Sequence, residues 1–337
     1  MLVLLTRPLG RIVAVAGLAV VIGLGWFALQ AEPVFSSSSK VVLVEVNPGD
    51  SIATIAARMH QKGVIASPLA FRIDALIFGT PIIRPGLYEI HQGSSFSHVR
   101  AIFGGAPNVP EVDVVPGLTL HEVALAVEQA LGPSFANTFA VDANAAATTS
   151  PYARSGTLEG LIGPGRYFIT PATTPQQLLA HMVASFNAEA AAVGLTPTTT
   201  REGLDAYRLV IAASIVEKEG YYAKNMPRVA RVIFNRLASG GPLQMDSTVL
   251  YYFNQDGGKV TPAMLRTVTP YNTYLNAGLT PTPICTVSSN ALHAMLNAPA
   301  GTWRYFVLVN KNGDMAFSTT FAEQLANERL AASRGLG

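Results

Sequence analysis

The chain has 337 residues, enough for about two domains at roughly 150 residues each, and is 49% apolar with only 13% charged residues, which excludes extended disorder. Lysines and arginines number 23 against 21 acids, a net charge of +2 with no basic tract, so no nucleic-acid partner is expected. One cysteine, Cys285, excludes an intramolecular disulfide framework and any cysteine-built zinc site.

Ile12 to Leu29 is an unbroken apolar run, about 27 Å long as a helix and close to the ~30 Å bilayer core. Arg7 and Arg11 precede it, and Gln30, Glu32 and a serine run follow. That asymmetry predicts a cytoplasmic N-terminus over 1–11 and a single-pass transmembrane helix over 12–30. The anchor would sit in the inner (cytoplasmic) membrane, with all later residues outside. A cleaved signal peptide fits less well, because the run is long and no A-x-A site follows. Residues 31–40 read as a flexible linker.

Next come a strand at 41–46, a turn and helix cap at Pro48-Gly49-Asp50-Ser51, and an amphipathic helical segment through residues 52–65. A second helix through Phe71 and Leu76 leads to a strand at 86–90. Glu111 to Leu131 repeats the strand, Pro-Gly turn, Thr cap and amphipathic helix, which suggests small α+β modules. The Ala-, Thr- and Ser-rich stretch from Ala143 to Gly156 reads as a solvent-exposed loop.

Thr199 with Glu202 fits a capping box opening a helix whose second half, Leu209 to Val216, is apolar or small throughout. That helix ends at Glu217-Lys218-Glu219-Gly220. Asn225 and Pro227 open another helix, which runs to Ala238. Ser288 caps a short helix through Leu296. Trp303–Val309 with Met315–Ser318 reads as a hairpin, and Thr320 to Ser333 as a terminal helix. The fold class expected is α+β.

Glu217 follows the buried run and faces the negative end of its helix, so desolvation and the dipole both favour a protonated carboxyl, as a general acid requires. The competing reading is that Glu217 and Glu219 merely solvate a helix end beside Lys218. Amides and aromatics gather at Asn235-Arg236, Gln244, Asp246 and Tyr271-Asn272-Thr273-Tyr274, a mixture that suits stacking and hydrogen bonding to a carbohydrate. There is no H-E-x-x-H, G-x-S-x-G or P-loop motif, and the six histidines lack metal-ligand spacing.

The motifs Ala213–Glu219, Val232–Leu237, Leu243–Val249, Pro270–Tyr274 and Gly278-Leu279, taken in that order, resemble the endolytic murein transglycosylase (YceG-like) family. The resemblance is specific over 199–310. It implies a catalytic region at 110–335 and a LysM-like module at 41–105. It also implies internal cleavage of peptidoglycan glycan strands to 1,6-anhydro-N-acetylmuramic acid ends, which would terminate strand elongation, with no metal or organic cofactor. The membrane and peptidoglycan synthases would be its partners.

Glu217 matches the catalytic glutamate under this resemblance, and Glu219, about 200° further round the helix, is left outside the chemistry. Asn235, Gln244, Asp246, Tyr271, Asn272 and Tyr274 match positions that shape the sugar cleft. The sequence departs from the family pattern at Arg166, Met315 and Gln324, which bears on the C-terminal edge of the cleft. Two other classes compete: a non-catalytic peptidoglycan-binding scaffold of the elongation machinery, and a pyridoxal-phosphate lyase. The second would need a Schiff-base lysine in a phosphate-binding fold.

Overall fold

The computed structural model describes residues 8–32, 39–145, 150–154, 156–170, 172–220 and 222–336, and the chain divides into two compact units, one up to Glu111 and one from Val112 onward. Arg7 and residues 33–38 of the expected linker lie outside the described residues.

The first unit opens with α1 (Pro8–Ala31). Its stretch Ile12–Ala31 has a mean hydropathy of 2.5 and is long and apolar enough to cross a membrane. Beyond it come β1 (Val41–Val46), α2 (Ile52–Gln61), α3 (Pro68–Phe78), β2 (Gly86–His91) and α4 (Phe96–Gly104). The strands pair antiparallel with Val44 opposite Tyr88. Their alternation turns Val44, Val46, Tyr88 and Ile90 inward onto Ile55, Ala56 and Met59 of α2 and onto Phe71 of α3. The Ser51 hydroxyl accepts the Thr54 N–H at 3.1 Å, and Ser67 caps α3 ahead of Pro68. Helix α2 stops at Gln61, and Val64 and Ile65 are buried in the turn that follows rather than in the helix.

The second unit carries β3 (Glu111–Val114), α5 (Leu120–Leu131), α6 (Pro133–Ala145), β4 (Gly165–Phe168), α7 (Pro175–Ala192), β5 (Thr200–Arg201) and β6 (Leu204–Asp205). It continues with α8 (Ala206–Gly220), α9 (Met226–Ala238), α10 (Asp246–Tyr252), α11 (Pro262–Arg266), α12 (Ser289–Leu296), β7 (Tyr305–Leu308), β8 (Met315–Ser318) and α13 (Phe321–Ser333). Strand β3 pairs with β4, while β5–β6 and β7–β8 are antiparallel hairpins. Helices and strands are therefore mixed, as expected for an α+β chain.

Helix α8 is the centre of this unit: every residue from Leu209 to Val216 is buried. Its small side chains Ala212, Ala213 and Ser214 let α9 and α12 pack closely. The buried Ser214 hydroxyl donates to Ile211 O at 2.7 Å and accepts the Ile284 N–H at 3.0 Å, so it ties the helix to the chain ahead of α12 without an unmet polar group.

Two expectations from the sequence are corrected. Thr199 and Glu202 do not form a capping box; the segment folds as the β5–β6 hairpin. Glu202 sits at its turn with φ 46°, and its carboxylate takes a bidentate pair of bonds from Arg231 at 2.9 and 2.8 Å. The stretch from Ala143 to Gly156 is not an open loop where it is described. Helix α6 runs into it as far as Ala145, and Tyr152 is buried against Phe186 with its hydroxyl on Leu195 O at 2.7 Å. Residues 146–149 and 155 lie outside the described residues.

Candidate active site

The C-terminal turn of α8 leaves the core carrying three charged side chains, and helical geometry sends each to a different neighbour. The Glu217 carboxylate accepts the Ser288 N–H at 2.9 Å and its hydroxyl at 2.6 Å, at the N-terminus of α12. The Glu219 carboxylate accepts the Ser247 hydroxyl at 2.7 Å and its N–H at 3.3 Å, in the first turn of α10. Lys218 pairs with Asp256 at 2.6 Å.

Glu219 and Lys218 line a cleft of about 380 Å³, within the range of a small-ligand site. Thr119, His121 and Glu122 from the start of α5 form one side of it, and Asp246, Ser247, Leu250, Tyr251 and the loop Asn254–Gly258 form the other. Glu217 is not among the residues that line it.

The desolvated carboxyl is that of Glu219. Burial pushes its pKa up and the nearby Asp246 charge adds to the rise, while the bonds from Ser247 and the charge of Arg236 oppose it. Asp246 accepts the Tyr274 hydroxyl at 2.6 Å, and burial together with this bond raises the Tyr274 pKa.

The segments around Asp246 and Tyr274 are zipped together. Gln244 N donates to Thr273 O at 2.9 Å, Met245 N to the Thr273 hydroxyl at 3.0 Å, and the Thr248 and Thr273 hydroxyls meet at 2.8 Å. Gln244 itself holds φ 50° and exposes its side chain, so its backbone makes the turn that starts α10.

Of the sugar-cleft residues singled out in the sequence, Asp246 lines this cleft, whereas Gln244, Tyr274 and the three that follow do not. Asn235 donates to Gly301 O at 3.0 Å and Trp303 O at 2.8 Å, holding the chain that enters β7. The buried Asn272 donates to Leu265 O and Thr267 O, each at 2.9 Å, and accepts the Tyr274 N–H at 3.0 Å. Tyr271 shares a hydrogen bond with the Thr282 hydroxyl at 2.8 Å, and its ring lies tilted at 49° against that of Tyr251, centroids 5.0 Å apart.

The three departures from the family pattern, Arg166, Met315 and Gln324, also lie outside the residues that line this cleft. Gln324 bonds Ser318, Phe306 O and Glu328; Met315 sits opposite Leu308 in the β7–β8 hairpin; Arg166 lies over the Phe168 ring.

Sequence reasoning missed Glu159 and Tyr251. Glu159 is only 4% exposed, accepts the Leu120 N–H at 3.0 and 3.2 Å and the Tyr251 hydroxyl at 2.9 Å, and so joins the start of α5 to α10. Gly160 beside it has φ +72°, and a Cβ there would come within 2.3 Å of Pro283, so the chain can pass this close only as glycine. The motif Leu158-Glu159-Gly160 was the available signal.

Burial pushes the Glu159 pKa from 4.5 to about 7, against the lowering pull of its hydrogen bonds. A raised acid pKa stabilises the fold below the unfolded value, and that share is lost as pH rises through the folded one. Urea unfolding of the full chain in detergent should therefore show Glu159→Gln gaining on the wild type between pH 4.5 and about 7. At ~1.4 kcal/mol per unit the gain is about 3 kcal/mol. Parallel pH curves for the two proteins would contradict this.

Known proteins resemble the chain over most of its length. It is 26% identical over 321 residues to the endolytic murein transglycosylase of Bacillus subtilis, covering 90% of this chain and 88% of that protein. It is also 26% identical over 311 residues to the endolytic murein transglycosylase of Streptococcus pneumoniae, covering 82% of this chain but only 55% of the relative. A crystal structure of a YceG-like protein from Listeria monocytogenes shares the fold, with a TM-score of 0.54 at 24% identity over 86% of this chain and 99% of that one. The model of the YceG-like family matches residues 44–330, and the chain belongs to that family.

Proposed function

We propose that the chain is a membrane-anchored lytic transglycosylase that cuts within peptidoglycan glycan strands, and that Glu219, not Glu217, is its acid and base. The observation that carries this reading is the desolvated Glu219 carboxyl in the cleft, held by Ser247 beside Asp246. Protonated Glu219 gives its proton to the O4 leaving oxygen as the C1–O4 bond breaks. The carboxylate then takes the proton of the muramyl C6 hydroxyl as O6 bonds to C1. The proton count closes, and no water is consumed.

Asp246, fixed by the Tyr274 hydroxyl, supplies negative charge that adds to the burial-driven rise of the Glu219 pKa and favours the positive charge developing at C1. One proton-shuttling carboxyl suffices, because the nucleophile is the substrate's own C6 hydroxyl, unlike hydrolysis, where a second carboxyl activates water or attacks C1 itself. Asn235, Gln244, Tyr271 and Asn272 shape the loops that carry Asp246 and Tyr274 and the chain around them, and Tyr251 supplies the aromatic face in the cleft.

The remaining parts are proposed on narrower grounds. Helix α1 is read as a single-pass anchor in the inner membrane, on its length and hydropathy. The β1–α2–α3–β2 arrangement in the first unit supports the LysM-like reading of residues 41–105, with glycan as its ligand. Termination of strand elongation beside peptidoglycan synthases follows from cutting nascent strands next to the membrane.

Two measurements test the reading. Incubating the full chain in detergent with purified glycan strands should shorten them by internal cuts, with a rapid fall in mean length. Binding without new ends would instead support a non-catalytic scaffold. The pH profile is a second test, because catalysis needs Glu219 protonated and kcat/KM should fall as pH rises through its raised pKa. Asp246→Asn removes a charge that raises that pKa, so the falling limb should move to lower pH. A limb that stays in place would remove Asp246 from this role.

A further inference from the structure

Beyond α1, the described residues of the first unit leave a strongly apolar surface uncovered. Leu76, Ile77 and Phe78 at the end of α3 are exposed, and so is Ile82 in the turn that follows; Leu76 and Ile82 are 85% and 88% exposed. A soluble surface rarely gathers four large apolar side chains within seven residues. The tip is ordered: Phe78 lies under the Arg100 guanidinium at 4.9 Å, and Arg100 is itself paired with the buried Asp74. The charges exposed beside the patch are Arg72 and Arg84, both basic, and the next acid along the chain is Glu89.

The position of this patch says what covers it. The C-terminal end of α1 packs on the same unit: Phe27 and Ala31 lie against its core, Phe27 meets Phe96 edge-on at 6.4 Å, and Phe96 meets Phe71 of α3 at 5.3 Å. Glu32 accepts the Ser97 hydroxyl at 3.3 Å. The apolar span therefore ends against α3 and the start of α4, with exposed Trp26 at that end. Helix α3 is 11 residues, or about 16 Å long, so its apolar tip stays close to the place where the chain leaves the bilayer.

We infer that Leu76, Ile77, Phe78 and Ile82 dip into the outer surface of the phospholipid bilayer, with Arg72 and Arg84 on the headgroup phosphates. The first unit is then seated on the membrane rather than tethered above it. An apolar face of this kind enters about 5–10 Å, to the headgroup and acyl boundary. The inference rests on α1 being the membrane anchor. A glycan strand, the other ligand considered for this unit, is disfavoured here: the patch offers three aliphatic side chains, a Phe78 ring with Arg100 already over it, and two cations, with no carboxamide or acid for sugar hydroxyls.

The test uses the full-length chain in phosphatidylglycerol-containing vesicles, with a fluorophore on cysteine introduced by Leu76→Cys or Leu18→Cys. Cys285 is buried, and burial also raises its thiol pKa, so the introduced cysteine is the reactive one. The Leu76 label should lose most of its emission to lipids spin-labelled near the glycerol backbone and little to lipids labelled near the chain end. The Leu18 label should show the reverse. Quenching at Leu18 with none at Leu76 overturns this proposal and leaves the anchor standing. No quenching at Leu18 overturns the anchor and the proposal with it. A Leu76 label that ignores lipid but changes emission on adding glycan strands assigns the patch to glycan and also overturns the proposal.

Discussion

Glu219→Gln is expected to remove nearly all strand cleavage, while Glu217→Gln keeps most of it. Loss of general acid–base catalysis costs typically 10²–10⁴-fold, and here one carboxyl carries both proton transfers, so the loss belongs near the top of that range. Glutamine keeps the side-chain size, and its amide oxygen still accepts the Ser247 hydroxyl, so the cleft keeps its shape. It has no proton to give to O4. Replacing a desolvated acid by a neutral amide should leave stability unchanged or improve it. Glu217→Gln weakens a charged contact at the N-terminus of α12, where such charges contribute about 0.3–1 kcal/mol. Its signature is a small loss of stability with cleavage retained. Rates of anhydro-end formation on purified strands check both, and loss at Glu217 with retention at Glu219 would return the acid to Glu217.

Asn272→Ala is expected to act on stability first. The buried amide serves two backbone carbonyls, Leu265 O and Thr267 O, and one backbone donor, Tyr274 N–H. Each group left without a partner costs about 1–3 kcal/mol, least where it is only part-buried as these three are, so the variant should lose at least about 3 kcal/mol. The same deletion frees the segment that aims Tyr274 at Asp246, so kcat should fall even among folded molecules. Urea unfolding read beside steady-state kinetics separates the two effects. A raised KM with unchanged stability would make Asn272 a sugar contact instead.

Local signals in this chain were legible where one short segment decides the outcome. Ser288 caps α12, Ser51 caps α2 and Thr119 with Glu122 caps α5, each through bonds spanning three residues. The β7–β8 hairpin follows in the same way, whereas Asn225 ahead of α9 makes no side-chain cap and gives its amide to Gly220 O and Gly313 O. Failures came where distant partners decide. Thr199 and Glu202 have capping-box spacing, but Glu202 is claimed by Arg231, 29 residues away, and the chain turns back as a hairpin.

Which of Glu217 and Glu219 reaches the cleft also depends on distant partners. Two residues apart on a helix, they point about 200° from each other, and no pattern within α8 says which side meets the cleft. Ser288 and Ser247, 71 and 28 residues further on, settle where each carboxylate goes. Asn235 and Asn272 looked like sugar ligands because amides are common in such sites. In the fold they hold backbone carbonyls of irregular segments, which need donors wherever they are buried. Tyr251 gave no signal, since a tyrosine in a short helix, here beside Tyr252, reads as a core residue until Glu159 is seen behind it.

The central claim is that the C6 hydroxyl of the sugar, not water, takes the place of the leaving group, with Glu219 moving both protons. Mass spectrometry of strands cut in heavy-oxygen water tests it directly. New 1,6-anhydro-N-acetylmuramic acid ends carrying no solvent oxygen are expected, formed by the wild type and absent with Glu219→Gln. Reducing ends that carry the heavy oxygen, formed at the wild-type rate, would show hydrolysis and contradict it.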